Sequence, residues 1–400
     1  MTRRRDSLPP ARRAKQAAFL AAFLSAACLT LSPAFAAEFL VGAELPLTGA
    51  LARVGNGMHE GVHVAAEVFN KTNGKHKIRL ISVDDESTPA KAIAAVEKLA
   101  SQGVVAITGG YGSNNIAPAA EAANRLNLVY MTSGGVDDSL VSAGRRNFFR
   151  INNTAGYERA VLGLIGDMGA KSVSIIYSTK DATTDLAMSV QKALAAGGMR
   201  ADVHSFDPAI TDFKPIINKI RLQDRPDVIL MAGYENDYVG ILRAARVLKP
   251  SVKAMIGVWS LATPKMAAEF PDLMPHVYGT ALLPFPATFE TADGKAFSDT
   301  YRQLYRKEAD YLGQFGYVQG MLLFEAIARA FDKGTLAKGG IADELRKTDR
   351  DTLIGRVQFA ANGDNPHFVH RMGQHQDRKI VIVWPKQHAT GTKVYPGVPW

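Results

Sequence analysis

One cysteine, Cys28, stands in 400 residues, so no intrachain disulfide framework staples the fold. A chain of this length buries a sufficient core without one. After residue 31 no apolar run is long enough to cross a bilayer, and the mature chain is expected to be soluble. Charge of one sign is scarcer than the formal +9 suggests, because much of it comes from Arg3, Arg4, Arg5, Arg12, Arg13 and Lys15 against Asp6. No nucleic-acid partner is implied by the remainder. The chain has no GxSxG elbow, GxGxxG fingerprint or P-loop, the common signatures of α/β hydrolases, dinucleotide enzymes and nucleotide triphosphatases. Repeats and low-complexity tracts are also missing.

What is present begins with an export signal over residues 1–36: a basic start, an almost wholly apolar stretch over 17–31, and Ala34-Phe35-Ala36, with cleavage expected after Ala36 into the periplasm. Asp6 and Ser7 follow the arginines where a folded-export signal needs apolar residues, so ordinary unfolded export is expected. Ser25-Ala26-Ala27-Cys28 is a poor lipid-attachment context, and no lipoprotein anchor is expected there. The first mature segment, Glu38 to Asn70, reads as a short apolar strand, a Pro/Gly turn and a helix, a unit suited to holding a ligand.

Apolar β-rich runs then alternate with helical patterns. Lys77 to Val83, Val104 to Thr108, Leu128 to Thr132, Ser172 to Tyr177, Asp227 to Ala232, Ala254 to Val258 and Val277 to Leu283 read as strands. Pro89 to Ser101, Ile116 to Asn127, Tyr157 to Met168, Leu186 to Ala196, Asp212 to Leu222 and Asp237 to Leu248 read as helices, giving a mostly parallel α/β protein. Phe148 to Thr154 and Leu282 to Pro286 interrupt the alternation and are candidate crossings between two lobes. A long helix over Phe315 to Phe331 precedes strand-like Arg356 to Phe359, His367 to Met372 and Lys379 to Trp384. Lys386 to Trp400 is expected to extend over the surface.

His59-Glu60-Gly61-Val62-His63 is a literal HExxH, the pattern by which one helix face presents two zinc ligands and a general base, and it defines the competing enzyme reading, a zinc metalloprotease. Against it, Met58, Val62, Ala65, Ala66 and Phe69 mark the buried stripe, with the histidines beside it. His367, His370 and His375 form a second cluster, but positions three apart on a strand point to opposite faces. Asp84-Asp85-Glu86 closes a strand before a helix, where acidic groups cap the N-terminus. Gly110-Tyr111-Gly112-Ser113-Asn114 follows a strand and opens a helix, offering backbone N–H groups, a helix dipole and a hydroxyl to a carboxylate-sized anion; a plain serine cap is the alternative.

With these segments in order, the chain resembles the periplasmic leucine/isoleucine/valine-binding family of ABC transporter solute receptors. The resemblance runs through Gly42 to Gly61, Asp85, Gly110 to Pro118, Thr132-Ser133-Gly134-Gly135, Phe149-Arg150, Gly233-Tyr234 and the helix near Tyr317. It implies the type I periplasmic binding fold: two doubly wound parallel-sheet α/β lobes joined by a multi-crossover hinge, closing on a ligand. Lobe one is expected over 37–154 plus 284–372, lobe two over 155–283 plus 373–390, and a C-terminal extension over 391–400. A monomer without cofactor or metal is implied, partnered by a small molecule and membrane permease subunits; a ligand sensor of the same fold is the related use.

Carried over by position, the resemblance makes Ser113 the serine that holds a ligand carboxylate, Tyr111 a side chain packed on the ligand, Gly134 a backbone contact and Tyr234 a retained tyrosine. Val136 stands where amino-acid binders use a threonine, and Val54 and Ala182 where they use tyrosines. Trp259 replaces the acid that pairs with the ligand ammonium. An unpartnered buried ammonium costs about 3–5 kcal/mol, so a small organic acid with an apolar or aromatic body is expected over an aliphatic amino acid. A branched-chain amino acid, an amide or a betaine is the alternative, the last through the Trp259 ring face.

Overall fold

The carboxyl ends of two sheets, where ligands sit in α/β proteins, organise this molecule. A computed structural model describes Thr2 and residues 37–400, and Glu38–Trp400 form one unit. The signal segment, its cleavage site and Cys28 lie outside the described residues.

The first sheet is wholly parallel, in the order β2-β1-β3-β4-β5. Its strands are β1 (Glu38–Leu45), β2 (Lys77–Asp84), β3 (Ala106–Gly109), β4 (Val129–Thr132) and β5 (Phe148–Arg150). Helices α1 (Ala52–Thr72), α2 (Pro89–Ser101) and α3 (Ser113–Arg125) connect them. The strand order reverses between β1 and β3, which opens a crevice beyond their ends.

The chain crosses over 151–153 into α4 (Thr154–Asp167), β6 (Ser172–Ser178), α5 (Asp181–Ala196), β7 (Arg200–Phe206), β8 (Val228–Ala232), α6 (Glu235–Leu248), β9 (Ala254–Gly257) and β10 (Tyr278–Ala281). It returns to build α7 (Ala292–Tyr305), α8 (Tyr311–Asp332) and the hairpin β11 (Asp349–Thr352)/β12 (Gly355–Gln358), then adds β13 (Arg371–Gln376) and β14 (Lys379–Trp384). The second sheet reads β14-β13-β10-β9-β8-β6-β7, parallel except at β10/β13 and β13/β14. Its order reverses between β6 and β8. The architecture is thus two α/β lobes joined by crossover segments.

Two helices of the first lobe meet backbone to backbone. A Cβ on Gly61 would sit 2.2 Å from the Gly313 carbonyl oxygen, and one on Gly316 2.1 Å from that of Met58, so α1 and α8 pack this closely only without side chains at the crossing. The Asp310 side chain caps α8 by accepting from the Leu312 and Gly313 N–H groups at 3.0 and 3.4 Å. That cap sets where Tyr311 enters the cleft.

Several sequence expectations need correction. The strand expected over His367 to Met372 starts at Arg371; the real strand, RMGQHQ, is so polar that its pattern gives no strand signal, although five of its neighbours on β14 are apolar or aromatic. Strand β7 and helix α7 were not expected, because polar residues interrupt the periodicity of each. Asp84 and Asp85 do not cap α2. Asp84 accepts from the Leu47 and Thr48 N–H groups at 2.8 and 3.2 Å and so holds the first turn of the chain, while Asp85 is buried and accepts from the Ser87 N–H at 2.6 Å. The C-terminal stretch, read as a surface extension, runs over the second lobe: the Val394 carbonyl accepts from Tyr278 Oη at 2.6 Å and Gln374 Nε2 at 2.9 Å, and partly buried Val398 and Trp400 pack on its apolar core.

Candidate functional site

In the first lobe, β3 ends in a turn that only glycine tolerates without strain, with φ of +128°, +70° and +85° at Gly109, Gly110 and Gly112. The loop after β4 lies directly on it. The Gly112 N–H donates to the Gly134 carbonyl at 2.9 Å, and a Cβ on Gly134 would fall 2.0 Å from the Gly110 oxygen. Helix α3 opens at Ser113, but its hydroxyl does not cap that helix, because Gly112 holds the cap position. Instead Ser113 Oγ accepts from the Val136 and Asp137 N–H groups at 3.2 and 3.1 Å.

Arg150, fully buried at the end of β5, fixes the same loop from behind. Its Nη1 donates to the Val136 and Asp137 carbonyls, both at 2.7 Å, while Nε and Nη2 reach Asp364 and Asp138 at 2.8 Å each. A hydroxyl has two acceptor sites and one proton. With both acceptor sites of Ser113 taken by N–H groups, its proton is left to donate.

The second lobe brings an aromatic wall. Tyr234 precedes α6 after β8, and its own N–H donates to Asp237 Oδ2 at 2.8 Å. Trp259 follows β9 at φ +51°, a conformation rare for a bulky residue and concentrated at functional sites. Its ring stacks on Tyr234 with centroids 5.8 Å apart and planes 10° apart, and meets Tyr157 at 5.8 Å and 52°. Lys180 Nζ sits 4.5 Å from the centre of the Tyr234 ring. Burial holds the Lys180 pKa below its ordinary value, with Asp237 acting the other way.

The two halves meet. Val136, Ala182, Tyr157 and Trp259 belong to one buried cluster, and buried Tyr111 lies near Tyr157, Tyr234 and Glu235. Val54 is buried on the first turn of α1 beside Arg53, which reaches across to Glu235 at 2.9 Å and Glu269 at 2.7 Å. Asn114 Nδ2 donates to Asp181 Oδ2 at 2.9 Å, a second link between the lobes. Sequence reasoning missed Tyr157, Tyr311, Arg53 and Glu235. A legible signal existed for the two tyrosines: each stands in the first turn of a helix behind a capping residue, Asn153 or Asp310.

Beneath the β3 turn lies a buried carboxyl pair. Tyr130 donates to Glu44, the Glu44 carbonyl accepts from the Gly110 N–H at 2.6 Å, and Asp85 is buried beside Glu44. Burial, then Asp85, raises the Glu44 pKa well above the usual carboxylate range, so Glu44 holds a proton where free carboxyls have lost theirs. A raised folded-state value means the stabilisation is complete below the unfolded value and is lost as pH rises through the folded one. Glu44→Gln, which keeps a donor at every pH, is expected to raise stability by about 1–3 kcal/mol at pH 8 and to change it little at pH 4.5, as read by thermal melts. Equal effects at both pH values would count against the raised Glu44 value.

The HExxH residues are spoken for otherwise. His59 Nε2 pairs with Ser82 Oγ at 2.7 Å, His63 Nδ1 with Tyr305 Oη at 2.8 Å, and Glu60 accepts from Tyr301 and, at 2.8 Å, from Lys307. Among the described residues no group of His, Cys, Asp and Glu is arranged to hold a metal ion. His370 is buried against Tyr157, with ring centroids 3.5 Å apart. His375 Nε2 meets the Leu261 carbonyl at 2.9 Å, and burial lowers its pKa to about 4.

Residues 39–376 match the family model described as periplasmic binding protein. The chain belongs to that family. A Leu/Ile/Val-binding protein homolog of Brucella abortus is 24% identical over 384 residues, covering 90% of this chain and 94% of its own. The leucine-, isoleucine-, valine-, threonine- and alanine-binding protein of Pseudomonas aeruginosa is 23% identical over 330 residues, 81% of this chain and 86% of its own. Among solved structures, a leucine-binding protein of Thermotoga maritima superposes with a TM-score of 0.78 at 22% identity, covering 86% of this chain and 97% of that one. A solute-binding protein of R. palustris in complex with benzoate gives 0.77 at 17% identity, covering 89% and 97%. This periplasmic binding protein is therefore a receptor of the two-lobed fold that takes a small ligand between its lobes. Its family comprises solute receptors, not enzymes.

Proposed function

We propose that this periplasmic binding protein traps a small organic acid with an apolar or aromatic body. Export by way of residues 1–36 and delivery to the permease follow as parts of the same proposal. The observation that carries it is the state of Ser113: a buried hydroxyl whose acceptor sites are filled by the Val136 and Asp137 N–H groups offers only a proton, and so suits a carboxylate. The Ser113 and Asn114 N–H groups add to this, because the first N–H groups of a helix have no intrahelical acceptor.

The rest of the cleft supports the same ligand. Of the acids nearest the aromatic wall, Glu235 is paired with Arg53 and Asp237 lies by Lys180, which leaves an ammonium only Asp181, itself held by the Asn114 amide. Lys180 over Tyr234 supplies positive charge, which favours an anion. Tyr111, Val136, Ala182, Tyr234 and Trp259 form the apolar surround. A structural neighbour that holds benzoate shows that this fold accommodates an aromatic acid. Closure is a population shift, since ligand touches both lobes only when they are shut.

Native mass spectrometry of the purified protein, followed by thermal shifts with aromatic acids, aliphatic acids, betaines and amino acids, tests the proposal. The tightest ligand is expected among the acids; at a thousand times its Kd it should add about 4 kcal/mol of stability. Leucine or valine as the tightest ligand would overturn the reading. Ser113→Ala is expected to weaken an acid by about 1.5–3 kcal/mol, the loss of one hydrogen bond to a charged group, measured by calorimetric titration.

A further inference from the structure

Arg53 stands in the first turn of α1, in the first lobe, yet both carboxylates it meets belong to the second. Its Nη1 donates to Glu235 Oε2 at 2.9 Å, and its Nη2 lies 2.7 Å from Glu269 Oε2. Glu235 opens α6 after β8, whereas Glu269 ends the short helix Pro264–Glu269 between β9 and β10. One guanidinium thus ties two separate elements of the second lobe to the first helix of the first, a task suited to a rigid planar fork of donors. The Phe270 ring lies beside the fork, its centre 5.8 Å from the guanidinium carbon.

The two arms differ in depth. The Glu235 side chain is 8% exposed and that of Glu269 38%, with Arg53 between them at 26%. Across an interface, a buried hydrogen-bonded charge pair governs how slowly the surfaces part, because removing one partner strands the other; a rim charge is screened by salt and contributes little. When the lobes separate, α1 carries the guanidinium away from α6 and from the short helix together. The pair is therefore a property of the shut form alone.

We propose that Arg53 is the clasp of the shut form: its Glu235 arm decides how long the lobes stay closed on a ligand, and its Glu269 arm makes that time depend on salt. This clasp rests on the reading that the lobes shut on a ligand, and it holds for any ligand kept between them.

With benzoate as the probe, stopped-flow tryptophan fluorescence at low salt is expected to show Arg53→Gln releasing it about tenfold faster than the unmodified protein, the size of one hydrogen bond to a charged group. Association should stay within about twofold, because the open form has no clasp to lose. Glu235→Gln should also release faster, and this separates a clasp from a mere field effect: taking a negative charge from the cleft would by itself hold an anion longer. The double variant should release no faster than Arg53→Gln alone, and Glu269→Gln should stay within about threefold of the unmodified protein. In 1 M NaCl release from the unmodified protein should quicken by about two- to threefold, and that from Arg53→Gln should not change. If benzoate binds and Arg53→Gln releases it at the unmodified rate, if Glu235→Gln releases it more slowly, or if the two changes multiply, the clasp is overturned while the ligand reading stands. If benzoate does not bind, that test of the ligand reading has failed, and the clasp is judged on the free protein by small-angle X-ray scattering at low salt. A larger radius of gyration in Arg53→Gln supports it; a radius equal to that of the unmodified protein overturns it.

Discussion

Arg150→Met is expected to lower folding stability by about 3–5 kcal/mol, the penalty for breaking a buried ion pair by removing one partner. The guanidinium is wholly buried and makes four bonds, two to carboxylates and two to the carbonyls of Val136 and Asp137. Methionine fills similar space but takes the ion-pair partner from Asp364, which keeps only neutral donors, and one donor from each carbonyl, which keep Thr154 and the Leu140 N–H. Because the N–H groups of the same two residues hold Ser113, the loss should also reach the site: a variant still folded at low temperature is expected to bind the acid more weakly. Urea unfolding measures the first effect and calorimetric titration the second. A loss under 1 kcal/mol with unchanged affinity would show that neither the core nor the loop depends on this arginine.

Trp259→Ala should weaken an aromatic acid by about 2–4 kcal/mol, roughly 30- to 1000-fold in Kd. The ring is 6% exposed and packs on both Tyr234 and Tyr157, so truncation opens the wall and removes the stacking surface together. Trp259→Phe, which keeps an aromatic face, should recover part of the affinity. Trp259→Glu should weaken the acid further by placing a buried like charge in the same cleft as the anionic ligand. Equal binding of the acid by Trp259→Ala and the unmodified protein would remove Trp259 from the ligand.

How much of this was legible beforehand depended on whether the signal was local. Helix Pro89–Ser101 and strand Lys379–Trp384 were readable to the residue, because a proline start and an unbroken apolar run are properties of adjacent residues. The glycine turn ahead of Ser113 was legible for the same reason. Strand Arg371–Gln376 was not, since its polar residues are matched by partners far along the chain, as when Gln374 Nε2 donates to the carbonyls of His276 and Val394. HExxH was legible as a pattern and misleading as chemistry: its glutamate belongs to Tyr301 and Lys307, residues some 240 positions away in sequence.

By itself, then, the sequence determined the α/β class, the alternation of strands and helices, and the short segments at strand ends where a ligand is held; each of these follows from periodicity, caps and turns within a few residues. Only the tertiary structure decided what the polar groups in those segments can do. Ser113 is a donor because two N–H groups from the neighbouring strand's loop take its lone pairs, Glu235 is engaged because Arg53 reaches it from the other lobe, and Trp259 is held between Tyr234 and Tyr157. Hydrogen-bond capacity is written in the residue type, but which of it is already spent depends on partners that only folding brings within 3 Å or so of one another.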